Sequence, residues 1–276
     1  MPYITTRDNS QLYVKDWGTG RPVILIHGWP LSADTWDEVA IPLVEAGYRA
    51  IVYDRRGFGR SEQPWAGYDY DTLSDDLADV MAATHAEAAT LVGFSMGGGE
   101  VARYMSRHQG HNVVQAALVS SVVPYLLKDE SNPNGAPPEV FEGMKDGLKA
   151  DRADFFANFF PNFYGMSVLN KPTSEAHVEW ARSTAMKASL KATLDCVDAF
   201  AKTDFRPDLA QFNVPTLIIH GDDDQIVPID LTSRTAAEGI ANATLIEYAG
   251  GPHGVFATHT AQLRDDLLNF VSQIPA

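Results

Sequence analysis

Gly93-Phe94-Ser95-Met96-Gly97 decides the fold of this chain. The apolar run Ala89-Thr90-Leu91-Val92 precedes it, and a stretch of helical character, Gly98 to His108, follows. A G-x-S-x-G between a strand and a helix is a nucleophile elbow. Glycines at 93 and 97 suit a turn too tight for side chains. Such a turn lifts the Ser95 hydroxyl above the sheet edge and aims a helix N-terminus at it, so that the amide of Met96 faces a developing oxyanion. Gly and Ser are common in loops, and the pentapeptide gains its meaning from the flanking strand and helix.

Outward from the elbow, Pro22 to Ile26, Tyr48 to Tyr53, Val113 to Ser121, Pro215 to Ile219 and Ala243 to Tyr248 are further, mostly continuous apolar runs. Runs of this kind suit parallel strands covered on both faces. Helical stretches lie between them: Thr35 to Gly47, Asp71 to Thr84, Ile229 to Gly239 and Ala261 to Val271. The alternation predicts an open α/β sheet with helices on both sides. Two short alternating runs, Tyr3 to Thr6 and Gln11 to Trp17, predict an antiparallel hairpin at the start. The pattern breaks between about Val122 and Phe212, after Pro and Gly punctuation at Asn132 to Pro138, in helix-like pieces rich in Phe. This reads as a helical lid (residues 122–212) inserted into a core formed by 1–121 and 213–276. The cluster Phe155, Phe156, Phe159, Phe160, Phe163 and Tyr164 is expected to pack over an apolar pocket. A membrane-binding stripe would want flanking basic residues, which are few here.

The 276 residues allow one large domain with an insertion. A content of 45% hydrophobic and 21% charged residues is that of an ordinary globular protein. No run reaches the length of a membrane span, and Met1 to Asp8 lacks the basic start and apolar core of a signal peptide. The net charge of −15 argues against nucleic acid and anionic lipid surfaces as partners. One cysteine, Cys196, leaves no internal disulfide and fits a reducing, cytoplasmic setting. Within Leu194 to Asp198 it reads as a small buried hydrophobe.

A serine hydroxyl becomes a nucleophile only when a base takes its proton and a third group orients the base. In an open parallel sheet these partners lie beyond the carboxyl ends of later strands. The sequence places His220-Gly221-Asp222-Asp223-Asp224-Gln225-Ile226-Val227-Pro228 after one such strand and Gly250-Gly251-Pro252-His253-Gly254 after the next. Three aspartates compete for the acid role; a cation site would want further oxygen ligands, yet the sequence turns apolar after Asp224. His253 is the candidate base. His85, His108, His111, His177 and His259 fall on helical or lid stretches and read as structural. A second oxyanion donor is the amide of Trp29 in His27-Gly28-Trp29-Pro30, where Gly28 permits close approach. Pro30 restricts the backbone of Trp29 and gives its carbonyl a set direction. Gly97-Gly98-Gly99 lacks the lysine or spacing of a phosphate cradle, so no nucleotide cofactor is implied. Asp54-Arg55-Arg56-Gly57-Phe58-Gly59-Arg60-Ser61 reads as a turn of buried ion pairs that braces the site, rather than as an anion-binding loop.

Together these five motifs, with Ser189 to Cys196 and Phe200 to Asp208, resemble the cofactor-free bacterial haloperoxidases, perhydrolases and aryl esterases of the α/β-hydrolase superfamily. The resemblance spans nearly the whole chain. It implies the α/β-hydrolase fold, a mostly parallel open sheet flanked by helices with an inserted helical lid. The family pattern G-x-x-D-x-x-V-P falls on Gly221, Asp224, Val227 and Pro228 and selects Asp224 over its neighbours. The implied catalytic residues are Ser95, Asp224 and His253, with the amides of Trp29 and Met96 as oxyanion donors. Implied substrate-binding positions are Trp29, Pro30, Val122, Phe159, Phe163, Ile226 and Ile229; Ile229 departs from the aromatic often found there. No metal or other cofactor is implied. The expected partners are a small ester or carboxylic acid, hydrogen peroxide as a candidate co-substrate, and further copies of the chain in a trimer or hexamer.

The expected chemistry is acyl transfer through a Ser95 acyl-enzyme, opened by water to an acid or by peroxide to a peracid. A lactonase or amidase with the same three residues is the nearest alternative, and a ligand receptor without turnover the more distant one. Dehalogenases and epoxide hydrolases of this superfamily carry Asp where Ser95 stands.

Overall fold

The computed structural model describes residues 2–274. Eight strands form one sheet in the order β1-β2-β4-β3-β5-β6-β7-β8. They are β1 (Tyr3–Thr5), β2 (Gln11–Gly18), β3 (Pro22–Ile26), β4 (Arg49–Tyr53), β5 (Ala89–Phe94), β6 (Val113–Val119), β7 (Thr216–Gly221) and β8 (Ala243–Tyr248). β1 pairs antiparallel with β2, and β2 with β4; every pairing from β4 to β8 is parallel. The residues of β3 and β5 are all buried, as continuous apolar runs require when helices cover both sheet faces. β3, β4 and β5 sit mid-sheet and carry the three motifs at their carboxyl ends, 27–30, 54–61 and 93–97, to one rim.

The helices are α1 (Asp37–Glu45), α2 (Tyr70–Ala83), α3 (Met96–Arg107), α4 (Pro138–Phe163), α5 (Glu175–Ala185), α6 (Leu190–Lys202), α7 (Arg206–Leu209), α8 (Ser233–Gly239), α9 (Val255–Thr258) and α10 (Thr260–Val271). α1 packs with α10 and α2 with α3. Sequence signals set several starts. The Asp69 carboxylate accepts from the amide of Thr72 at 2.9 Å, and Ser174 accepts from that of His177 at 3.1 Å, so each satisfies a free donor of a first helical turn.

Between β6 and β7 the chain leaves the sheet for α4 to α7. α4 is broken at Asp151 (φ −156°, ψ 96°), whose carboxylate caps the second half through the amide of Asp154 at 3.0 Å. No helix among the described residues is long and apolar enough to cross a membrane.

Two sequence expectations shift in detail. The elbow helix starts at Met96 rather than Gly98. Glycine is a poor helix former, but here packing overrides propensity: a Cβ on Gly97 would stand 2.6 Å from the carbonyl oxygen of Ile26. The stretch Ile229 to Gly239 divides into a 3₁₀ turn, Ile229–Leu231, and α8.

Candidate active site

Ser95 joins β5 to α3 with φ 53° and ψ −117°, in the positive-φ region that a residue with a Cβ seldom adopts. Surrounding glycines make this possible. A Cβ on Gly93 would collide with the backbone of Gly97, and one on Gly28 would stand 3.0 Å from the Cβ of Ser95. The 27–30 loop therefore lies directly against the elbow. Among the described residues, neither the amide of Trp29 nor that of Met96 donates to a protein acceptor. Met96 is also the first residue of α3, where the helix dipole adds to the donor.

His253 follows β8 and Asp224 follows β7. His253 Nε2 lies 2.9 Å from Ser95 Oγ, and its Nδ1 lies 2.7 Å from Asp224 Oδ2. All three residues are buried. The imidazole is held from behind by Phe163, edge-on at 4.8 Å, and by Phe94 at 5.2 Å. The Gly254 amide donates to the Phe163 carbonyl at 2.9 Å and ties that loop to α4.

The aspartate run resolves into three separate jobs. Asp222 accepts from the Gly250 amide at 2.6 Å and Asp223 from the Gln225 side chain at 2.9 Å. Asp224 Oδ1 accepts from the amides of Ile226 and Val227 at 2.9 and 2.8 Å. Its Oδ2 is shared by His253 and by His220 Nε2 at 3.0 Å. Burial alone would raise this carboxyl. The charge and hydrogen bond of His253 and the hydrogen bond from His220 outweigh it and hold the group well below the usual carboxylate range. The sequence assigns His220 no role, because local spacing does not show that a histidine at a strand end turns inward.

The arginine-rich turn forms ion pairs, of which Arg55–Glu100 and Arg56–Asp76 are buried. Arg55 pairs with Glu100 of α3, and Tyr53 donates to the same carboxylate at 2.6 Å. Arg55 also donates to the His27 carbonyl at 2.6 Å and, from its own amide, to His27 Nε2 at 3.0 Å. His27 is thus a structural loop residue, and burial beside Arg55 holds it well below the usual imidazole range. The network fastens the 27–30 loop to the elbow helix. Arg56 pairs with Asp76 and Asp8, and Arg60 with Asp54 and Asp34. Removing Glu100 strands a fully buried guanidinium. Glu100→Ala is therefore expected to cost about 3–5 kcal/mol of stability, read as a lower denaturant midpoint; an unchanged midpoint would show that the pair contributes nothing.

A cavity of about 100 Å³ opens beside Ser95 and His253. Its walls are mostly apolar and include Trp29, Val122, Leu126, Phe159, Phe200, Ile226 and Leu231. The Trp29 indole meets Phe159 and Phe200 edge-on at 5.5 and 5.8 Å, and its Nε1 donates to the Thr193 carbonyl at 3.1 Å. Three of the expected substrate positions, Phe163, Ile229 and Pro30, do not line this cavity. Phe163 stands behind the imidazole. Ile229 is buried away from the cavity, because in the 3₁₀ turn side chains three apart align, which brings Pro228 and Leu231 to the wall instead. Pro30 is buried in the turn after Trp29, whose indole covers that wall. His85 and His111 lie in turns after α2 and α3 rather than on helices. Cys196 is buried, and burial pushes its thiol up, away from reactivity.

An elbow serine in a mostly parallel sheet, with a carboxylate after β7 and an imidazole after β8, defines an α/β-hydrolase. Residues 21–260 match the α/β-hydrolase fold family, and the chain belongs to it, within the group of non-haem haloperoxidases. A non-heme chloroperoxidase of Kitasatospora aureofaciens is 42% identical over 99% of this chain and 100% of the relative. A bifunctional esterase/perhydrolase of Acinetobacter calcoaceticus is 42% identical over 98% and 99%. The crystal structure of a bromoperoxidase from Bacillus anthracis superposes with a TM-score of 0.93 at 44% identity, covering 98% of this chain and 99% of that one.

Proposed function

We propose that this chain is a serine-dependent acyl-transfer enzyme, a carboxylesterase that also makes peracids from short carboxylic acids or esters. The observation that carries it is the continuous buried relay from Ser95 Oγ through both ring nitrogens of His253 to Asp224. His253 takes the Ser95 proton as Oγ attacks the carbonyl carbon, and Asp224 stabilises the imidazolium. The amides of Trp29 and Met96 hold the oxyanion, each worth about 3–4 kcal/mol in comparable sites. His253 returns the proton to the leaving group, an alcohol from an ester or water from a carboxylic acid, and an acyl-enzyme remains. Water then yields the acid and free Ser95, or hydrogen peroxide yields the peracid. A peracid transfers one oxygen to halide in solution and reverts to the carboxylate, which accounts for haloperoxidase activity in a serine hydrolase. The size of the cavity favours a short acyl group.

The test is p-nitrophenyl acetate hydrolysis together with peracid formation from acetate and peroxide in chelator-treated buffer. Hydrolysis without peracid would leave the esterase and remove the perhydrolase. The nature of residue 30 is expected to tune the ratio. One hydrogen bond from the hydroperoxide to a directed Trp29 carbonyl is worth about 0.5–1.5 kcal/mol, at most about tenfold in partition. Pro30→Leu should therefore lower the perhydrolysis-to-hydrolysis ratio by up to about tenfold, and an unchanged ratio would remove that role. The homo-oligomer that the family resemblance implies belongs to the same proposal and is read by light scattering.

A further inference from the structure

His220 sits at the end of β7, fully buried, outside the cavity and in contact with no reacting atom. Its Nε2 faces two acceptors at once, Asp224 Oδ2 at 3.0 Å and the Val227 carbonyl at 2.8 Å. A carbonyl and a carboxylate can only accept, so Nε2 carries a proton. On the other side of the ring, Nδ1 lies 2.6 Å from Ser233 Oγ, and Ser233 is itself buried. Among the described residues this is the one side-chain partner of the Ser233 hydroxyl, so the hydroxyl donates and Nδ1 accepts. The geometry therefore assigns His220 as a neutral, one-proton imidazole whose tautomer is fixed from both ends.

We infer that His220 is a positioning residue for the reaction, a second, uncharged donor on the oxygen of Asp224 that binds His253. The inference rests on the Ser95–His253–Asp224 proposal and extends it. A carboxylate that served His253 alone could rotate about its Cβ–Cγ bond. Here Oδ1 is fixed by two backbone amides and Oδ2 by His220, so the remaining lone pair of Oδ2 is aimed at His253 before substrate arrives. The donor also draws charge from Oδ2, which weakens the hold of Asp224 on the imidazolium. His220 thereby fixes where the base points and limits how strongly it retains the proton it must return to the leaving group. The charged groups around it are few. Asp224 lies on its own turn and His253 on the loop after β8, and Glu247 is its register partner on β8, where its carboxylate is engaged by Arg234. Asp222 and Asp223 on its own turn are taken up by the Gly250 amide and Gln225.

Two substitutions separate the two ends of the ring. The amide of Gln reaches roughly where Nε2 lies, and the shorter Asn reaches only the Nδ1 side. His220→Asn keeps the Ser233 contact and loses the donor to Asp224. It is expected to lower kcat for p-nitrophenyl acetate about tenfold with KM within twofold, since no substrate contact changes. Its acid limb of kcat/KM should move up by about half a pH unit, as an unshared Oδ2 holds the imidazolium more tightly. His220→Gln should restore the limb and most of kcat. A merely structural residue would not move the limb, and Gln would not rescue it. An unmoved limb in His220→Asn, or equal displacement in both variants, overturns the inference. Should the Asn variant not fold by circular dichroism, Ser233→Ala, which frees the ring from its fixed tautomer, is expected to displace the limb in the same direction by a smaller amount. An unmoved limb there overturns it equally. Ser95→Ala is run in parallel: wild-type turnover in that variant sinks the parent proposal, whereas its inactivity beside an unmoved limb sinks only the role of His220.

Discussion

Replacing Ser95 with alanine is expected to abolish turnover of p-nitrophenyl acetate, lowering kcat by about five to six orders of magnitude. The reaction has one attacking atom, Oγ, held 2.9 Å from the nitrogen that takes its proton. Without it no acyl-enzyme forms, and His253 can at best activate a water that has no assigned place. Some acceleration over water should survive, because the oxyanion amides are backbone and remain where they are. Alanine keeps a Cβ, so the cost of φ 53° at this position is unchanged. The variant should therefore melt close to the wild type, which separates lost chemistry from lost fold. Wild-type kcat in a folded Ser95→Ala protein would refute the enzyme assignment outright.

The second large effect is expected at Asp224. Its two oxygens accept from four donors: two backbone amides on Oδ1 and two imidazoles on Oδ2. An asparagine offers one accepting atom and one donating group, so one pair of donors must face an NH₂. If that pair is the imidazoles, His253 presents a bare Nδ1 and carries its proton on Nε2, where it can no longer accept from Ser95. Asp224→Asn should lower kcat by about 10⁴-fold with KM little changed. Stability offers a second readout with a defined sign. The carboxyl is held below its ordinary 3.8, so its contribution is fully present above that value and is lost as pH falls through the folded value. The stability gap between wild type and Asp224→Asn should thus be widest near neutral pH and narrow in acid. A kcat within tenfold of wild type would mean that another group orients the imidazole.

Much of this was legible in the residues. The parallel strands declared themselves because strands covered on both faces must be apolar throughout, as β3 and β5 are. The elbow and the two loops after β7 and β8 were legible because tight turns and strand ends leave signatures in Gly, Asp and His spacing. The orientation of side chains in short irregular pieces was not. Ile229 and Leu231 are both apolar and two residues apart, and only the 3₁₀ geometry decides which one meets the cavity. Local sequence showed that Arg55 belonged to a buried pair but not that its partner was Glu100, because 45 residues of chain separate them. His220 stayed hidden for the same reason: its meaning lies in Asp224, Val227 and Ser233, which only the folded β7 edge gathers round one ring.

Much of the wall comes from a different stretch of chain than the reacting groups. Ser95, Asp224 and His253 stand on loops at the ends of strands, whereas Leu126, Phe141, Phe159 and Phe200 come from the excursion between β6 and β7. Appetite for one acyl group over another can therefore drift, or be bred, through the excursion while the hydroxyl, ring and carboxylate keep their spacing. A lineage built on this plan inherits its reaction as a fixture and acquires its diet by redecorating a ceiling.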